Sequence, residues 1–175
     1  MKSMGMKISA EDIYSVNKGS LKDAVCQFGG GCTGEIISSQ GLLLTNHHCG
    51  YSYIQGHSNM EHNYLKEGFW AKDKSDELPC SGLSIMLISR MEDVTSQALQ
   101  GVTPAMNESE RKIQTDKNIV DIQKSIRKEN WEDVFIRSFY NGNQFFAFVT
   151  VTYKDIRLVG TPPESIGKFG ADTDN

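Results

Sequence analysis

No stretch of this 175-residue sequence approaches the roughly 18 consecutive apolar residues of a membrane-spanning helix, so a helical span is excluded on length alone. Basic residues are not in excess either. Eighteen Lys and Arg stand against 22 Asp and Glu, for a net charge of −4 and a pI near 5.6, which leaves no electrostatic footprint for nucleic acid. The opening residues Met1-Lys2-Ser3-Met4-Gly5-Met6-Lys7 lack the apolar core of about 7–15 residues that marks a secretory signal. Export cannot be read from them: the protein is cytosolic, or a signal precedes Met1. Internal repeats and low-complexity tracts are missing as well. What is there, 38% hydrophobic and 23% charged, is the composition of one globular domain with enough apolar material for a core.

Cysteine is sparse, with Cys26, Cys32, Cys49 and Cys80 the only four, and they allow three complete pairings. Short strands are expected over Val25–Phe28 and Thr33–Ile37, with Gly29-Gly30-Gly31 as a flexible break. Ser39-Gln40-Gly41 then turns the chain into Leu42–Asn46, so that Cys32 and Cys49 fall at the same end of a hairpin. That layout favours a Cys32–Cys49 bridge, which requires an oxidising compartment. Cys26 and Cys80 are then a second pair or two buried thiols.

Helix signals flank these strands. Ser9-Ala10-Glu11-Asp12 has capping-box spacing and predicts a short helix through Tyr14 and Val16. Apolar residues between Tyr51 and Phe69 predict one or two further short helices, and Leu83–Ile88 reads as a buried strand. Asn107-Glu108-Ser109-Glu110 is a second capping box, opening a helix to about Glu129. Its apolar side is expected along Ile113 and Val120, continued by Ile119, Ile122 and Ile126. Val134–Tyr140 and Gln144–Tyr153, joined by Asn141-Gly142-Asn143, read as a hairpin, and Ile156–Val159 as one more strand. Strands, helices, then strands suit an antiparallel sheet with a helical insertion. Three parts follow: strand-rich residues 1–93, a helical segment 94–130, and a hairpin with a returning strand over 131–175. The polar end, Ile166 to Asn175, has no closing element and looks like a cut.

The chemistry concentrates in Thr45-Asn46-His47-His48-Cys49, directly after the apolar Leu42-Leu43-Leu44. A histidine held at the end of a strand by an adjacent bridged cysteine suits a general base, which must be fixed within reach of the proton it takes. In trypsin-like proteases the catalytic histidine precedes a cysteine that bridges back across the first hairpin, and His48-Cys49 with Cys32 repeats this layout. Two other readings stay open. Both histidines can be ordinary strand-end residues, or Cys32, His47, His48 and Cys49 can hold zinc, although adjacent strand histidines point to opposite faces. His57 and His62, five residues apart, read as surface histidines. No serine lies in Gly-x-Ser-x-Gly or Gly-Asp-Ser-Gly-Gly, and Ser81 before Gly82 reads as a turn. Cys49 is better used as a half-cystine than as a nucleophile. Asp172 and Asp174 can orient a histidine, bind calcium or simply be solvated.

Several motifs together resemble the exported bacterial serine dipeptidyl peptidases of the dipeptidyl-peptidase 7 and 11 type. They are Gly29-Gly30-Gly31-Cys32-Thr33-Gly34-Glu35, Leu44-Thr45-Asn46-His47-His48-Cys49-Gly50-Tyr51, Gly68-Phe69-Trp70-Ala71, Glu92-Asp93-Val94-Thr95, and the run from Arg157 to Asn175. The match runs in register along the whole chain. It implies a mainly β, chymotrypsin-like fold in which a large helical domain is inserted, here the first barrel and the beginning of the insertion. It implies His48 as catalytic base and Asn175 as a residue binding the free α-amino group of a peptide substrate, with no cofactor and no metal. A tryptophan of the same pocket and a Thr-Gly-Asp-Phe aspartate follow in that family, so Asp172 and Asp174 are not its triad acid. Ala171 departs from the family's Gly-Gly-Asp, a small change without functional weight.

Family members are several times longer, with the serine, its oxyanion hole and the side-chain selectivity residue far beyond Asn175. The chain therefore reads as an N-terminal piece, inactive by itself, of an exported enzyme acting on peptides. An uncompleted barrel leaves a sheet edge open to aggregation or to pairing as a homodimer. The alternative from a different class is a non-catalytic, zinc-bearing domain on a trypsin-like half-barrel.

Overall fold

Residues 2–15 and 18–167 are described by the computed structural model of the chain, which divides into two compact units: residues 1–23 with 87–152, and 24–86 with 153–175. The first capping signal is realised in α1 (Ala10–Ile13). The Asp12 amide donates to Ser9 Oγ at 3.1 Å, and the Ser9 amide donates back to the Asp12 carboxylate at 2.7 Å. This helix stops at Ile13, short of the expected Tyr14, and Val16 lies outside the described residues.

The unit that begins at residue 24 opens with an antiparallel meander of β1 (Val25–Phe28), β2 (Cys32–Ile36) and β3 (Leu43–Thr45). Val25 pairs with Glu35 and Phe28 with Cys32, while Gly34 faces both Cys26 and Thr45. The Gly29–Gly31 break is thus a tight turn between neighbours, anchored where the Gly29 amide donates to Ser84 O at 2.9 Å. Cys26 and Phe28 are buried and Val25 is exposed, the period-two pattern of a half-buried strand.

Two helices follow, α2 (His47–His57) and α3 (Tyr64–Glu67). Ser58 joins them: its hydroxyl donates to Ile54 O at 3.0 Å and accepts from the Tyr64 amide at 3.1 Å. Asn63 caps α3 by accepting from the Lys66 amide. Next come β4 (Phe69–Trp70), β5 (Leu78–Pro79) and β6 (Ile85–Asp93). β6 is longer than the apolar run Leu83–Ile88 implied, and its residues are divided between the two units.

In the other unit, α4 (Thr95–Ala98) and α5 (Glu108–Ile126) lead to the hairpin of β7 (Glu132–Phe139) and β8 (Gln144–Tyr153). Phe135 stands opposite Phe148 and stacks on it at 5.2 Å. The hairpin turns through Tyr140 and Asn141, both with positive φ (49° and 56°). Val94, Ala98, Ile122, Ile126, Phe145, Ala147 and Val149 form the core here.

The expected apolar face of α5 holds at Ile122 and Ile126, with Ile119 packed beside them, and is corrected at Ile113 and Val120. Ile113 and Val120 are exposed, at 71% and 48%, while Thr115, Ile122 and Ile126 are buried. At 100° per residue, the Ile113–Val120 stripe lies roughly 200° around the helix from the Thr115–Ile122 stripe, so only one of them can face β8. Thr115 is tolerated inside because its hydroxyl donates to Arg111 O at 2.8 Å.

The Arg90–Glu132 ion pair ties β6 to β7 within this unit. The Arg90 guanidinium forks onto the buried Glu132 carboxylate and also donates to Ile126 O at 2.9 Å, closing the end of α5. The Lys128 amide donates to Glu132 Oε2 at 2.9 Å and the Glu129 amide to the same oxygen at 3.3 Å. These donors, Arg90 first among them, hold the Glu132 carboxyl down at about 2, against an ordinary value of 4.5.

The chain ends in the unit that holds the meander. β9 (Arg157–Leu158) pairs with β5, and β10 (Gly160–Thr161) pairs with β4. One turn, α6 (Glu164–Gly167), follows. Gly68 permits this return: its φ is 76°, and a Cβ there would come within 2.9 Å of Thr161 O. Strand order in the largest sheet is β3-β2-β1-β6-β8-β7, so the chain combines a six-stranded sheet with helices of very different length, from one turn to the 19 residues of α5.

Candidate active site

β3 delivers the chain to the site. The Thr45 hydroxyl donates to Thr33 O at 2.7 Å, tying the end of β3 to β2. Asn46 is extended (φ −70°, ψ 147°) and α2 begins at the next residue, so the apolar run converts directly into a helix. The first turn is tight, with the Cys49 amide donating to Asn46 O at 3.0 Å. Cys49 is bonded through its sulfur to Cys32, the first residue of β2, with the two Cα atoms 6.0 Å apart. The turn carrying both histidines is therefore held from below by β3 and from the side by β2.

The two histidines occupy opposite environments. His48 is exposed on the first turn of α2. His47 is half-buried, edge-on to Tyr51 at 6.1 Å, and its Nε2 is buried with no hydrogen-bond partner among the described residues. Successive residues at a helix start project about 100° apart, which is enough to give one imidazole access to a ligand and the other a packing role. His47 is thus turned partly inward with its Nε2 covered, a distinction not visible in the His-His dipeptide.

Sulfur and nitrogen donors of Cys32, His48 and Cys49 lie within 4.8 Å of one another. His47 is not among them. Zinc takes cysteine as thiolate, and sulfurs that share a disulfide are not thiolates, so the bridged set offers a metal a single imidazole. This does not fit the zinc reading.

The remaining candidates are spread elsewhere. His57 is half-buried, and its Nε2 lies 3.1 Å from Pro79 O, which ties the end of α2 to β5. His62 is exposed and stacks on Tyr64. Ser81 and Gly82 form a turn. Cys26 and Cys80 are free, buried thiols, and burial pushes both above the ordinary thiol value. Asn175, Asp172 and Asp174 lie outside the described residues.

Gly167 is the residue that reading the sequence missed. It abuts the His47 ring so closely that a side chain there would collide with it. Nothing in the local pattern of Glu164-Ser165-Ile166-Gly167 marks this, because the partner lies 120 residues earlier in the chain.

The chain is similar to known proteins along its whole length. The model of a family described as Peptidase S46 matches residues 1–175. An Asp/Glu-specific dipeptidyl-peptidase of Capnocytophaga gingivalis is 53% identical over 175 residues, and one of Flavobacterium psychrophilum is 54% identical. A protein named dipeptidyl-peptidase 7 from Capnocytophaga gingivalis is 49% identical over the same length. Each alignment covers all of this chain but only 24–25% of the relative, so the chain spans about a quarter of their length. Among solved structures, Porphyromonas endodontalis DPP11 in an alternate conformation superposes with a TM-score of 0.79 at 44% identity, covering 100% of this chain and 27% of that one. DPP11 in complex with substrate gives 0.78 at 43%, covering 100% and 26%.

Proposed function

From the premise that this chain belongs to the peptidase S46 family along residues 1–175, we propose that it is the base-carrying portion of an exported serine-type dipeptidyl peptidase. The observation that carries the reading is the setting of His48, an exposed imidazole on a helix turn fixed by the Cys32–Cys49 bond and by β3. A base so held keeps its geometry while substrates come and go, which proton transfer in the transition state requires.

In the proposed mechanism one ring nitrogen of His48 takes the proton of a serine hydroxyl as that oxygen attacks the peptide carbonyl. The same nitrogen then returns the proton to the leaving amine, while an aspartate on the other ring nitrogen fixes the tautomer. Serine and aspartate come from later residues of the longer protein, in a chymotrypsin-like double barrel of which residues 1–93 and 131–175 supply the first. Residues 94–130 begin the inserted helical domain. Asn175 presents its amide oxygen to the α-ammonium of the peptide, so that the cut falls two residues from the N-terminus. Carrying a base without its nucleophile, residues 1–175 alone are inactive, and a homodimer of the full-length protein is the assembly to look for.

Product analysis of the full-length enzyme tests this reading. A peptide with a free N-terminus is expected to release dipeptides, and its N-acetylated counterpart to resist. Cleavage at internal bonds of both peptides would contradict the assignment.

A further inference from the structure

β7 closes one end of the six-stranded sheet, with no further strand on its outer side among the described residues. Alternate amides and carbonyls of an edge strand point away from its neighbour and can template pairing with another chain. Natural edges are blunted by proline, lysine or a bulge. β7, Glu132-Asp133-Val134-Phe135-Ile136-Arg137-Ser138-Phe139, has no proline or lysine. It pairs with β8 residue for residue, from Glu132 with Val151 to Phe139 with Gln144, so it has no bulge either.

The two faces of β7 differ. Val134 and Ile136 pack against the core that includes Ile122 and Ile126 of α5. Asp133, Phe135, Arg137 and Phe139 alternate onto the opposite face. There Phe135 stacks on Phe148, Phe139 meets Phe146 edge-on at 5.7 Å, and the Arg137 guanidinium lies over the Phe135 ring at 5.5 Å. Asp133 and Arg137 are exposed and flank Phe135 along this face. Neither belongs to an ion pair among the described residues.

That order is self-complementary. Two copies of β7 paired antiparallel about a twofold axis must set one residue opposite itself. With Phe135 on the axis, Asp133 of each copy faces Arg137 of the other, and Val134 faces Ile136. Moving the axis two residues either way sets Arg137 on Arg137 or Asp133 on Asp133. Moving it by one leaves both charges opposite aromatic rings, of Phe135 and Phe139 or of Phe135 and Trp131. Only one register matches the charges.

We propose that β7 is the surface through which two copies of this protein associate, pairing antiparallel about Phe135 so that the sheet runs on from one copy into the other. Two Asp133–Arg137 ion pairs fix the register, and the aromatic cluster of Phe135 and Phe148 meets its counterpart across the axis. The inference rests on the homodimer of the full-length protein named above and supplies its interface. The role of His48 does not enter it.

Sedimentation equilibrium of the full-length enzyme tests the interface. Asp133→Arg and Arg137→Asp each place like charges opposite one another at both contacts, and each is expected to weaken self-association at least about tenfold. Mixed in equal amounts, the two variants should pair with each other, because one presents two arginines where the other presents two aspartates. The protein carrying both changes, with its charges exchanged, should dimerise as the wild type does. Phe135→Cys reads the register independently: directly opposed residues lie within bridging distance, so mild oxidation should link two copies through this position. Single variants that dimerise like the wild type would overturn the interface and leave the homodimer standing. Single variants that stay monomeric when mixed, a monomeric double variant or an absent cross-link would overturn the register and with it the proposal. A monomeric wild type would remove the interface and the homodimer together.

Discussion

Cys49 follows His48 immediately and is bonded to Cys32, 17 residues earlier, so the exposed imidazole and a disulfide share one helical turn. This makes the bridge the anchor of the candidate base. A loop of that length confers about 3 kcal/mol when closed by a disulfide. Cys32→Ser with Cys49→Ser should lower the unfolding free energy by about that amount in chemical denaturation. Thiol titration gives an independent check, because Cys26 and Cys80 are free and buried. The native chain should react slowly with a thiol reagent, and the denatured, unreduced chain should show two thiols. Four thiols without reductant would mean that the bridge does not form.

Acid should act on the chain through Glu132. Its carboxyl sits at about 2 when folded, with Arg90 as the main cause, against an ordinary 4.5 when the partners are lost. Because the folded value is the lower one, the pair's stabilisation is complete above about pH 4.5 and disappears as pH falls toward 2. Glu132→Gln should lower Tm at neutral pH and flatten its dependence on pH between 5 and 2. Equal acid slopes for the two proteins would show that Glu132 is not the titrating group.

On α5, Ile122→Ala should cost about 2–5 kcal/mol, since Ile122 belongs to the core under β8. Ile113→Ala, on the exposed side, should change stability by about 0.5 kcal/mol or less. Denaturation curves of the two variants read this directly, and a reversed order would put the helix in the rotation that the heptad count implied.

That contrast shows where the sequence is legible. Strands β1, β2, β3, β7 and β8 and the caps of α1 and α5 follow from local signals, namely alternation, glycine-bearing turns and side-chain acceptors spaced to receive backbone amides. The facing of α5 is not local. A core-facing Thr115 and a solvent-facing Ile113 are decided by where β8 lies, and the hydroxyl's bond to Arg111 O removes the penalty that would have flagged Thr115. At the site, the Thr-Asn-His-His-Cys run announces an anchored imidazole, whereas the inward turn of His47 depends on Gly167, far along the chain. The Arg90–Glu132 pair is likewise formed between residues 42 apart, with no motif to join them.

The central claim is that His48 is the proton-transferring base. Full-length enzyme carrying His48→Ala, assayed with a dipeptidyl reporter at neutral pH, tests it most directly. Loss of kcat by about 10⁴-fold or more, with the Cys32–Cys49 bridge intact, is the predicted result. Activity within about tenfold of wild type would contradict it, because that is less than a positioned base contributes.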